Sequence, residues 1–215
     1  MTLPQGGRAL LIRLSALGDV LFALETLASL KRETTCGALL RRPDVGHGDL
    51  TALEKLDRMQ YLHLAHNRVV DLEPIGGLKN LRSLYLSHNK LKDLSPIAGL
   101  DKVWSLYVDG NRITSLEPLS KMKWLSSLDL RGNQVKNLKP LNTLTELKYL
   151  VIEKNQISDV SPLLEMAKKD AEGEQRFAPF WRLYVANNPL SDESKEHLDK
   201  IKKLGGRVTE DAIPE

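Results

Sequence analysis

The side chains best suited to chemistry in this sequence are three histidines and one aspartate. His63, His66 and His88 lie close together, and His66 and His88 are 22 residues apart. Neutral imidazoles gathered at one point can share a zinc ion. No carboxylate stands at an evident fourth position, and both A-H-N and S-H-N belong to a longer pattern, so no metal site is expected. Asp19 stands in the turn Leu17-Gly18-Asp19, after an apolar run and before an amphipathic stretch. The serines are scattered, and neither a Gly-x-Ser-x-Gly nor a phosphate-binding Gly-Lys-Ser/Thr motif occurs. Cys36 is the only cysteine, which excludes an intrachain disulfide and a cysteine-based metal cluster. Neither catalysis nor a cofactor is expected.

The elements that position these residues are set by a repeat. Asn67, Asn89, Asn111, Asn133 and Asn155 recur every 22 residues inside the frame L-x-x-L-x-L-x-x-N-x-L. The frames begin at Met59, Leu81, Val103, Leu125 and Leu147, and a sixth, FWRLYVANNPL, begins at Phe180. Alternating pairs such as Leu62 and Leu64 have the period of two that turns both side chains to one face of a strand. An amide side chain carries donors and an acceptor, so a column of asparagines suits the turn leaving each strand. In the second half of each unit stand Pro74, Pro96, Pro118, Pro140 and Pro162. Proline fits the first turn of a short helical segment better than a sheet.

The frame and the L-x-P-[LI]-x-x-L back half resemble the leucine-rich repeats of the 22-residue bacterial subclass that includes the internalins. The resemblance implies an α/β solenoid: a right-handed superhelix with a short parallel β-sheet on the concave face, 3₁₀ or loop segments on the convex face and a C-terminal capping helix. Stacked repeats of this length bury one continuous core.

Both ends depart from the period. Asn188 follows Asn155 by 33 residues, an insertion of half a repeat, and helical spacing through LLEMAKKDAEGE places the extra residues in a longer convex segment stopped by Gly173. SDESKEHLDKIKKLGG then reads as a helix capped by Ser191 or Asp192 and ended by Gly205, with Leu198, Ile201 and Leu204 inward. Three regions are expected: an N-terminal segment 1–48, the repeats 49–190, and a cap helix and tail 191–215. Residues 33–48 show no sustained period and read as a linker or irregular cap. Residues 8–32, an apolar run, the Gly18-Asp19 turn and an amphipathic stretch, resemble the opening βα unit of heptosyltransferase-type glycosyltransferases. That resemblance implies a role as general base for Asp19 and an alternative function as an accessory part or remnant of a glycosyltransferase system.

The chain has 215 residues, 31 basic against 28 acidic, and a net charge of +3. This balance does not suit phosphate tracking, so nucleic acid is not an expected partner. The stretch from Ala9 to Leu30 is interrupted by Arg13, Asp19 and Glu25, which suits neither a membrane span nor a secretory leader, and a cytoplasmic location is expected. Arg68, Lys90 and Arg112, just past the asparagines, form the one patterned charge feature and suit an acidic partner.

The expected function is recognition of another protein through the outward side of the sheet. The central outward positions hold His63, Tyr85, Tyr107, Asp129, Val151 and Tyr184, and the first variable position adds Trp104 and Trp181. Only 5% of the chain is aromatic, so gathering on one face is informative. His63, Tyr85, Trp104, Tyr107, Asp129 and Tyr184 are the candidate partner-binding residues.

Overall fold

Leucine alternation organises the molecule. Leu62, Leu84, Leu106, Leu128, Leu150 and Leu183 occupy equivalent positions on successive parallel strands, and each is fully buried. The computed structural model describes residues 10–14, 36–40, 50, 53, 54, 56–176 and 178–212. One parallel sheet runs in chain order: β1 (Leu10–Leu14), β2 (Cys36–Leu40), β3 (Met59–His63), β4 (Ser83–Tyr85), β5 (Ser105–Tyr107), β6 (Ser127–Asp129), β7 (Tyr149–Val151), β8 (Arg182–Tyr184) and β9 (Arg207–Thr209). A single buried cluster extends beneath it from Leu50 to Ile201. The fold is the expected α/β solenoid.

The asparagine ladder holds adjacent coils together. Asn111 Nδ2 donates to the carbonyls of Val108 (2.9 Å) in its own coil and Leu86 (3.0 Å) in the preceding one, and its Oδ1 accepts from Leu91 N (3.0 Å). Asn89, Asn133 and Asn155 repeat this set, and Asn188 keeps it across the insertion by accepting from Ile157 N (3.2 Å). Each amide therefore satisfies buried backbone groups that the turn leaves without a ladder partner.

On the convex side 3₁₀ segments span Glu73–Ile75, Ser95–Ile97, Glu117–Lys121 and Lys139–Thr143, each with proline in its first turn. A second column starts these turns. Asp71, Asp93 and Asn137 Oδ1 accept the amide two residues on (2.8–3.0 Å), Ser115 Oγ accepts more weakly from Glu117 N (3.3 Å), and Asp159 Oδ1 accepts from Ser161 N (2.7 Å) where the next coil begins an α-helix instead. The bonds to Ser95 hold the Asp93 carboxyl below its ordinary pKa.

The inserted half repeat is helix α1 (Ser161–Glu172), which buries Leu163, Leu164, Met166 and Ala167. Helix α2 (Asp192–Lys203) begins with Ser191 Oγ accepting from Ser194 N (3.1 Å) and buries Leu198 and Ile201 over the last coil. It ends in paired bonds, Gly206 N to Ile201 O (3.1 Å) and Gly205 N to Lys202 O (3.0 Å). That closure needs a left-handed residue, and Gly205 supplies it at φ +98.

Two strands fall where no frame announces one. The segment 33–48 contains β2, which pairs with β1 and, through a register shift at Cys36/Gly37, with β3. The C-terminal tail contains β9, paired with β8 from Arg182↔Arg207 to Tyr184↔Thr209, so the sheet continues past the cap helix. Of the βα unit around Asp19 only the strand β1 is described. Asp19 and the amphipathic stretch after it lie outside the described residues. Among the described residues no helix is long and apolar enough to cross a membrane.

Candidate partner-binding face

Because every strand contributes its central outward residue at one register position, the order His63, Tyr85, Tyr107, Asp129, Val151, Tyr184 is one column across the sheet. Its first three members form a continuous stack. His63 lies on Tyr85 with ring centroids 5.2 Å apart and 11° between planes, and Tyr85 lies on Tyr107 at 4.7 Å and 4°. Tyr61, two residues before His63, adds a tilted contact with Tyr85 at 5.1 Å. Burial first, and then the neighbouring Tyr85, pushes the Tyr61 hydroxyl up to about 12. All four rings are half-buried, so they support one another and still offer surface.

Trp104 stands at the entrance of β5 and is 50% exposed. Its indole Nε1 donates to Ser83 Oγ (3.0 Å), and the Arg82 guanidinium lies 5.8 Å from the ring centroid. It flanks the stack and is not part of it. Tyr184 pairs with Tyr149 at 5.4 Å, which makes a second, smaller aromatic group beyond the strand of Asp129.

Asp129 separates the two groups and is only 5% exposed. Its Oδ1 accepts from Arg131 N (3.0 Å), and the Arg131 guanidinium approaches Oδ2 at 3.5 Å. Burial raises its carboxyl to about 6, helped by the charges of Asp109 and Glu153 and opposed by the Arg131 bonds. Val151, expected outward, is fully buried.

Trp181 requires a correction. Expected on the outward face beside Trp104, it is fully buried, and Phe180, at the frame's first leucine position, is 64% exposed. In the regular coils the buried residue opening a frame lies three positions before the central leucine, as Leu147 does before Leu150; here Trp181 lies only two before Leu183. The chain enters β8 from the 3₁₀ turn Ala178–Phe180, one residue out of step, and the long indole fills the core site that a leucine occupies elsewhere. Trp124, 65% exposed just before its frame, was not signalled by the repeat because it lies outside the frame positions.

His66 and His88 are stacked at 4.5 Å and 16° in turns with positive φ, 58 and 54. The next coils place Gly110 and Gly132 there at φ 64 and 66. A Cβ on Gly110 would meet His88 Nδ1 at 2.5 Å, so the histidine stack ends where glycine becomes necessary. His88 Nε2 lies 3.4 Å from Asp109 Oδ2, and Asp109 Oδ1 accepts from Ser87 Oγ (2.5 Å). Among the described residues no group of three or more histidine, cysteine, aspartate or glutamate side chains is arranged to hold a metal ion.

Comparison with known proteins agrees with this geometry. The family model described as Leucine Rich repeats (2 copies) matches residues 57–99, 105–141 and 123–165. The crystal structure of internalin C2 from Listeria monocytogenes is similar at 27% identity and TM-score 0.63, over 81% of this chain and 70% of that one. Internalin InlF from the same organism gives 25% identity and TM-score 0.65, over 91% and 60%. The ectodomain of the Arabidopsis receptor kinase HAESA, solved with a peptide hormone ligand, shares the fold at 19% identity and TM-score 0.56, over 72% and 25%. No curated protein matches, and nothing among the similar proteins supports the glycosyltransferase resemblance. Leucine-rich-repeat proteins of the internalin type are generally protein-interaction modules. With its 22-residue coils, asparagine ladder and single parallel sheet, the chain is a leucine-rich-repeat protein of internalin-like architecture.

Proposed function

We propose that this protein binds a partner protein through the outward side of its sheet, with Tyr85 and Tyr107 as the central anchors and no chemistry of its own. The observation that carries this reading is the continuous stack His63, Tyr85, Tyr107, half-exposed above fully buried leucines. Tyrosines present an apolar body and a polar tip and lose little entropy when docked, properties that enrich them at interface centres. Here each ring is also held by its neighbours before any partner arrives, which lowers the cost of ordering on binding. Trp104 with Arg82 lies at one flank of the stack, and Tyr149 with Tyr184 lies beyond Asp129. The same rings would also serve as lateral support for the sheet, and the two roles separate experimentally. Parallel pulldowns with the intact chain and with a Tyr85→Ala, Tyr107→Ala variant, read by mass spectrometry, test the proposal. Capture of a protein by the parent and its loss from the folded variant supports it; identical capture by both removes it.

A further inference from the structure

The asparagine ladder carries a second feature on the flank where the chain leaves the sheet. One residue past each ladder asparagine, the amide donates to the preceding coil: Lys90 N to Val69 O (3.0 Å), Arg112 N to Leu91 O (2.8 Å), Gln134 N to Ile113 O and Gln156 N to Val135 O (both 2.9 Å). These bonds, with Asn89 and Asn111 accepting from Val69 N and Leu91 N, stack Arg68, Lys90 and Arg112 into one column at the spacing of the coils. All three side chains are exposed, and none forms an ion pair among the described residues. Lys92 adds another exposed cation beside them. Among the described residues no acid of this flank pairs with these cations. Asp71 and Asp93 accept from the amides of Glu73 and Ser95 (2.9 and 2.8 Å), and Asp109 is buried against Ser87 and His88. The cations stop at the third coil, and in the fourth and fifth Gln134 and Gln156 continue the column without charge.

We propose that the column Arg68, Lys90, Arg112 is a docking surface for an acidic helix of a partner protein. Charge complementarity selects an acidic segment, and spacing selects its conformation. Coils in a parallel sheet repeat at about 4.8 Å, and the histidine rings of the first two of these coils lie 4.5 Å apart. Carboxylates along one helix face recur at about 5–6 Å. Those on one face of an extended strand recur at roughly 6.6 Å, which loses register with the column within three residues. The flexible stems of lysine and arginine absorb the smaller mismatch. An acidic helix lying along the solenoid axis therefore meets one cation per turn. This surface is separate from the tyrosine stack and extends a partner's footprint from the sheet onto the flank.

The test uses the intact chain and a fluorescent alanine-rich helical peptide with three glutamates on one face, beside a second peptide of identical composition with the glutamates distributed around the helix. A heparin-derived oligosaccharide serves as an extended polyanion. Fluorescence anisotropy should show the one-face peptide binding at least about tenfold tighter than the scrambled one, with affinity falling as salt rises above about 0.1 M. Arg68→Gln with Lys90→Gln and Arg112→Gln should weaken that binding about tenfold or more. Lys121→Gln with Lys139→Gln and Lys168→Gln, an equal charge change elsewhere, and Tyr85→Ala with Tyr107→Ala should leave it within about twofold. Equal binding of the two peptides, no peptide binding, retention by the Arg68 triple variant, or capture of the oligosaccharide alone would each overturn the proposal.

Discussion

Tyr85 and Tyr107 lie face to face, 4.7 Å between ring centroids and 4° between planes, at directly paired positions of neighbouring strands. The relation follows from the period that stacks Leu84 on Leu106 beneath them, since residues at one register position repeat at the strand spacing of about 4.8 Å. A repeat that builds a core on one face of the sheet builds a side-chain ladder on the other. Where evolution places rings in that ladder, the result is a preformed aromatic surface, and aromatic pairs contribute about 0.5–1.5 kcal/mol beyond their buried area.

The ladder asparagines are structural. Replacing Asn111 by alanine leaves the buried amide of Leu91 without its acceptor and takes one of two side-chain donors from the carbonyls of Leu86 and Val108, which keep those of Asn89 and Asn133. Urea unfolding should register a loss of about 1–3 kcal/mol or more. Arg112→Ala, on an exposed neighbour, should stay within about 0.5 kcal/mol. Equal losses would remove the structural role of the amide.

At the insertion, core and surface have exchanged places. Trp181→Ala should cost about 3–5 kcal/mol, because a fully buried indole leaves a cavity. Phe180→Ala, at the frame's nominal core position, should cost much less, since the ring is 64% exposed. The reverse order in thermal melts would restore the unshifted frame.

Asp129 should make stability depend on pH. Its carboxyl is raised to about 6 by burial and by Asp109 and Glu153, so the folded state holds a proton that the unfolded state has released between about pH 4 and 6. Stability from this group is therefore fully present below about pH 4, falls as pH rises through 6, and is constant above. Asp129→Asn should be more stable than the parent by about 2–3 kcal/mol at pH 8, with the difference vanishing near pH 4. A difference that does not change with pH would show that this carboxyl titrates normally.

The repeat made most of this legible because a 22-residue frame specifies both which leucines stack and where the amide must sit. The insertion helix and the cap helix were readable from apolar spacing with Gly173, Ser191 and Gly205 as punctuation. What escaped was register and depth. Nothing in FWRLYVANNPL says that the inserted coil enters one residue out of step and buries Trp181. Nor does an outward position reveal that Asp129 and Val151 sink below the surface. Strands β2 and β9 escaped because neither lies in a repeat frame; each is fixed by pairing with a distant neighbour. The side-chain caps at Asp71 and Asp93 were present in the sequence as a second column, two residues before each 3₁₀ turn.

Removing residues 1–32 deletes β1 and leaves β2 as the sheet edge. The buried cluster from Leu50 onward remains within the shortened chain. Cooperative urea unfolding should persist with a loss of about 1–3 kcal/mol from newly exposed apolar surface. A broad, non-cooperative transition would show that the N-terminal segment is integral to the core.

The account rests most directly on the tyrosine stack as a binding surface. Once a captured partner is in hand, isothermal titration calorimetry should give a dissociation constant at least about 30-fold weaker for Tyr85→Ala with Tyr107→Ala, about 2 kcal/mol or more, as truncated interface anchors give. Lys121→Ala on the convex side should bind within about twofold of the parent. A double-tyrosine variant that keeps its circular dichroism spectrum and binds with unchanged affinity would contradict the account.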